Sequence, residues 1–140
     1  MDELIVWKKA KGFGNKFDID QVMENADGLR ILLTEVNTNQ KISLSYDGLV
    51  CSYKNTDESF CLPTLSALGK TYGMNFIAQN TFFEVLNSSY VKEIESGGHG
   101  VLRAQDLFHL KIMGTNAIFD IVSFARPVIQ KEDAYVLEND

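Results

Sequence analysis

Two stretches of this chain alternate apolar and polar residues about a tight turn, and that pattern constrains the fold to an antiparallel sheet. In residues 107–124 the reversal falls at Thr115-Asn116. Closing it there sets Ile112 opposite Phe119 and Leu110 opposite Ile121 on one face, with Lys111 opposite Asp120 on the other. In residues 29–59 the dipeptide Asp47-Gly48 predicts a two-residue hairpin of the primed type. Pairing Tyr46 with Leu49 then places Leu44 opposite Cys51 and Ile42 opposite Tyr53, with Ser43 facing Ser52 and Lys41 facing Lys54 behind them. A second turn at Thr38-Asn39 sets Glu35 opposite Ile42, Leu33 opposite Leu44 and Ile31 opposite Tyr46, completing a three-stranded meander.

Helical spacing appears in three places. Asp18 and Gln21 have the spacing of a capping pair, and Ile19, Val22, Met23 and Ala26 recur at i, i+3, i+4, i+7, which predicts a helix ending at Gly28. Leu62, Leu65, Leu68 and Tyr72 follow suit around Pro63, a residue suited to a first turn, with Gly73 as the stop. Ser88 or Ser89 caps a third helix that runs through Tyr90, Val91 and Ile94 to Gly97-Gly98. Residues 4–7 and 81–86 read as strands and the lysine-bearing residues 8–16 as a loop. The expected fold is therefore α+β: an antiparallel sheet of five or more strands with about three helices. It occupies residues 1–128, and an acidic tail, residues 129–140, leaves it after Pro127.

A chain of 140 residues is long enough for one well-buried core, and an ordinary apolar fraction of 45% excludes disordered and low-complexity classes. The acidic start and the early Lys8-Lys9 have the wrong order for a secretory leader, and no run of about 18 apolar residues is present, so a cytoplasmic protein free of the membrane is expected. Two cysteines, Cys51 and Cys61, do not make a disulfide framework or a zinc ligand set, and no cofactor or metal is expected. The net charge of −6, half of it on the tail, argues against nucleic acid as a partner.

Candidate chemistry is sparse. His99, in a glycine-rich loop, and His109, in a strand beside Lys111, are the residue types of a metal-independent ribonuclease, in which one ring accepts a proton and the other donates one. No serine-nucleophile signature is present, and Cys51 falls on a core face, where a thiol is protonated and inert. Asp57 and Glu58 are adjacent and point apart, unlike two acids aimed at one atom.

The segments KISLSYDG, VCSYKNTDES, FFEVLNSSYV, LFHLKI and IFDIVS together resemble the small cytoplasmic immunity proteins that accompany polymorphic or contact-dependent bacterial toxins. The resemblance spans residues 4–128 and implies a non-enzymatic inhibitor that binds a cognate toxin domain, often a basic nuclease. Charge and exposure at turns and element ends point to Asp47, Asp57, Glu58 and Asp106 as its toxin-binding residues. The alternatives are a small ribonuclease or hydrolase using His99 and His109, or a non-enzymatic regulatory or structural module.

Overall fold

The computed structural model describes residues 2–48, 50–57, 59, 62–98 and 103–132. Within them lie nine strands: β1 (Glu3–Val6), β2 (Phe17–Asn25), β3 (Gly28–Glu35), β4 (Lys41–Asp47), β5 (Val50–Asp57), β6 (Phe82–Leu86), β7 (Phe108–Met113), β8 (Ala117–Ser123) and β9 (Val128–Glu132). Three α-helices accompany them, α1 (Leu62–Tyr72), α2 (Met74–Ala78) and α3 (Ser89–Gly97). The strands form two antiparallel sheets, ordered β1-β6-β7-β8-β5 and β2-β3-β4-β9. The fold is α+β, as the mixture of periods predicts.

The sheets stack face to face. Phe17, Leu29, Ile31, Leu33, Ile42, Leu44 and Tyr46 from the four-stranded sheet meet Phe82, Phe108, Leu110, Ile112, Phe119 and Ile121 from the five-stranded one in a single buried cluster. Alternation then sends Phe83, Val85, Met113 and Ile118 to the far face of the larger sheet, where they pack under α1 and α2 through Leu65, Leu68, Tyr72, Phe76 and Ile77. A third cluster seats Tyr90 and Val91 of α3 on Val122, with Cys51 packed against it. The result is three layers: helices, five-stranded sheet, four-stranded sheet.

The β7–β8 hairpin has the expected register, with Ile112 opposite Phe119, Leu110 opposite Ile121 and Lys111 opposite Asp120. The helices at Leu62–Tyr72 and Ser89–Gly97 also form where the spacing places them, the latter with Ser88 as N-cap.

Four expectations are overturned. The helix expected from Asp18 is instead strand β2. Ile19 pairs with Leu33 and Gln21 with Leu32, so Asp20 is an extra residue in a β-bulge. That extra residue returns Ile19 and Val22 to the same core-facing side three positions apart, and this spacing imitates a helical period.

Asp47 instead ends β4, and at Gly48, with φ +109, the chain passes from one sheet to the other rather than closing a hairpin; Leu49 lies outside the described residues. β5 pairs with β8, and the edge of β4 expected to receive it is taken by β9, with Leu44 opposite Ile129. The register of β3 on β4 differs from the expected one by two residues: Leu33 lies opposite Ile42 and Ile31 opposite Leu44. A shift of two keeps every side chain on its expected face. Finally, residues 129–132, expected in an acidic tail, belong to strand β9; residues 133–140 lie outside the described set.

Candidate functional site

Of the four carboxylates singled out by charge, the three described ones, Asp47, Asp57 and Asp106, do not converge. Asp47 ends β4 opposite Gly28, and Asp57 ends β5 opposite Ala117, both exposed. Asp106 closes a 3-10 turn just before β7. Val50 pairs with Ser123 and Asp57 with Ala117, so β5 runs the length of β8 between the Asp47 end and the Asp57 end. Asp106 lies toward the Val50 end, since Phe108 also pairs with Ser123. Glu58 and His99 lie outside the described residues.

Asp57 nevertheless lines one feature. β5 ends the larger sheet and β2 the smaller, and these two edges do not pair with each other. Between them runs an open seam. One stretch is a groove of about 360 Å³ lined by Ile19, Asp20, Val22, Asn55, Asp57 and Ala117, among others, and a hollow of about 260 Å³ continues it past Glu24, Gly28 and Val50. The Tyr53 ring stacks on Phe119, and its hydroxyl crosses the seam to donate to Glu24 Oε1 at 2.9 Å, a bond that pushes the phenol pKa up. Asp27, in the β2–β3 turn, and Asp47 flank a separate shallow hollow with Met23, Arg30 and Ser45, on the other face of the four-stranded sheet. The seam thus has Ile19, Val22 and Ala117 along its floor and the carboxylates Asp20, Glu24 and Asp57 at its rim.

Two of these carboxylates are tied locally. The Ser59 hydroxyl and amide donate to Asp57 and hold its carboxyl below the usual range. Asp20 accepts from the Thr34 hydroxyl, which itself accepts from Lys41 Nζ at 3.0 Å. Asp20, Glu24 and Asp27 do not stand out in the sequence, because the spacing of their segment predicts a helix; the acid-rich run Asp18-Ile19-Asp20-Gln21-Val22-Met23-Glu24 is the available signal for a charged edge strand.

The other polar cluster lies beneath α3. His109 is 3% exposed and sits on the helix-facing side of the larger sheet. Its Nδ1 lies 2.6 Å from Ser88 Oγ and its Nε2 2.7 Å from Asp120 Oδ1, while Lys111 Nζ reaches Asp120 at 3.0 Å. The pattern closes with Nε2–H donating to Asp120 and the Ser88 hydroxyl donating to Nδ1, leaving Ser88 Oγ to accept the Val91 amide at 3.0 Å as the cap of α3. Burial alone raises the Asp120 pKa, but the His109 hydrogen bond and the Lys111 charge outweigh it and hold the carboxyl below its usual range.

This Ser-His-Asp order matches that of the serine hydrolases, but the ring is reversed: there Nε2 faces the serine and Nδ1 the carboxylate. Ser88 is also held as a helix cap and is 5% exposed. As for Cys51, burial raises its thiol pKa, in keeping with a packed and protonated side chain. Among the described residues no group of three or more His, Cys, Asp or Glu is arranged to hold a metal, and no helix is long and apolar enough to cross a membrane. Comparison of the chain with protein-family models, with curated proteins and with solved structures returns no match.

Proposed function

We propose that this is a non-catalytic immunity protein that binds and neutralises a cognate bacterial toxin domain, a nuclease with a basic cleft, in the cytoplasm. The observation supporting this reading is the acid-edged seam between β2 and β5: apolar at its floor, charged at its rim and open at the surface. A nuclease that grips phosphates presents Lys and Arg, and opposite charge both accelerates encounter and rejects wrong partners. The test is co-expression with the toxin domain encoded beside this gene. Neutralisation predicts a co-purified complex and restored growth; equal killing with and without this protein, and no complex at about micromolar concentration, refutes it.

A second reading, a hydrolase, is favoured by one observation, the chain of bonds Ser88–His109–Asp120. A fluorophosphonate that labels the wild type but not Ser88→Ala supports it; no labelling of either refutes it.

A further inference from the structure

The seam's β2 wall is an unfinished ladder. Ile19 turns its amide and carbonyl away from β3, and the Asn116 carboxamide takes both: Ile19 N–H donates to Oδ1 at 3.1 Å and Nδ2 donates to Ile19 O at 2.9 Å. A side chain from the β7–β8 turn thereby imitates one rung of a neighbouring strand. Beyond the bulge, Val22 and Glu24 pair with Ile31 and Leu29, which lie two and four residues from Leu33, the partner of Ile19. They share the parity of Ile19, so their amides and carbonyls also point outward into the seam. Across from Val22 stand Asn55 and Asp57 of β5, and across from Glu24 stands Tyr53, whose hydroxyl donates to the Glu24 carboxylate.

We infer that the seam receives an extended, lysine- or arginine-bearing segment of the partner, which adds to β2 as a strand and continues the ladder that Asn116 begins. The inference rests on the toxin-binding reading and names the surface and the chemistry of the occupant. The incoming strand takes the place of the Tyr53 phenol on Glu24; main-chain bonds to Val22 and Glu24 then supply register, and alternate side chains meet Asp20, Glu24 and Asp57 on the rim and the apolar floor of Ile19, Val22 and Ala117. The same acids repel a second copy of this edge, so the seam discriminates against self-pairing while accepting a cationic strand.

The experiment uses the full chain and a capped synthetic peptide of about nine alternating lysines and threonines, beside its counterpart methylated on every backbone amide nitrogen. The expected result is binding of the first peptide, shifted amide resonances at Val22 and Glu24, and affinity about tenfold or more lower for the methylated peptide, which keeps the charge but cannot donate. Two variants separate charge from pairing. Glu24→Gln removes the carboxylate; Glu24→Pro also removes the outward amide, a change an edge strand tolerates. Glu24→Pro should bind about tenfold or more weakly than Glu24→Gln. If Glu24→Pro fails to fold, the methylated peptide and the amide shifts decide alone. Equal affinity for both peptides, equal affinity of the two variants, or no binding at about 1 mM overturns the inference. A toxin neutralised equally well by the two variants overturns the strand-addition model while leaving the immunity reading standing.

Discussion

Ser88 and His109, 21 residues apart, share a 2.6 Å hydrogen bond that ties the N-cap of α3 to the centre of the five-stranded sheet. Through Nε2 of the same ring the tie extends to Asp120 and Lys111, so one helix start, two strands and an ion pair are fixed by a single buried imidazole. Lys54 lies over the face of Tyr90 on the same helix, 4.1 Å from the ring centroid, and adds a clamp from β5.

Ser88→Ala removes two things at once. The Val91 amide loses its cap, worth about 1 kcal/mol, and His109 Nδ1 is left buried without a donor, costing about 1 to 3 kcal/mol more. A total loss of about 2 to 4 kcal/mol in urea unfolding is expected, with hydrogen-exchange protection falling first in α3. A loss below about 1 kcal/mol would mean that the network contributes little to stability.

Glu35 is the second buried anchor, at 3% exposure where β3 ends. Its carboxylate accepts the amides of Asn15, Asn37 and Thr38. Burial alone raises its pKa, but these donors outweigh burial and hold the carboxyl below its usual range. A carboxyl whose pKa is depressed by folding stabilises the fold fully above its unfolded pKa, and that contribution is lost as pH falls through the folded value. Glu35→Gln should therefore cost about 2 to 3 kcal/mol at neutral pH, and its deficit against the wild type should shrink as pH falls to about 3. Denaturant midpoints at the two pH values check this; a constant deficit contradicts it.

The residues that made the β7–β8 hairpin legible also show why the rest was not. Thr115-Asn116 joins strands that remain neighbours, so local alternation and tertiary pairing agree, down to Lys111 opposite Asp120. Asp47-Gly48 is as strong a turn signal, but nothing in the residues of β5 tells them to pair with β8 rather than β4; that choice is made by β9, about 80 residues away, occupying the β4 edge. Asp20 is the subtler failure, because one inserted residue converts period two into a local period of three. The candidate site inherited that error. The seam exists only because β4 and β5 part company and β2 is an edge strand.

Tyr46 is buried with the four-stranded sheet's core residues, and its hydroxyl has no hydrogen-bond partner among the described residues. Burial pushes its pKa up. A phenol desolvated without compensation costs stability, so Tyr46→Phe should be neutral or stabilising by about 1 kcal/mol in thermal or urea unfolding. A loss greater than about 1 kcal/mol would show that the hydroxyl is bonded in solution.

Gly28 closes the β2–β3 hairpin opposite Asn25 and lies beside Asp47 across β4, where Asp27 and Asp47 approach one hollow. At φ +134 its backbone is in a region that L side chains avoid, and a Cβ built there would stand 2.0 Å from the Tyr46 carbonyl oxygen. That neighbour is main chain within a sheet and has nowhere to move. Gly12, at φ +93 with nothing within 4 Å of a built Cβ, shares the strain without the collision. Gly12→Ala should thus cost about 1 to 2 kcal/mol, the backbone term alone. Gly28→Ala should cost about 3 kcal/mol or more and open the Gly28–Gly48 end of the seam, because β3 must move off β4 to admit the methyl group. Paired urea titrations distinguish the two contributions. Equal losses would mean that the close approach of Gly28 to Tyr46 is relieved without cost, and that the end of the seam is not held by that contact.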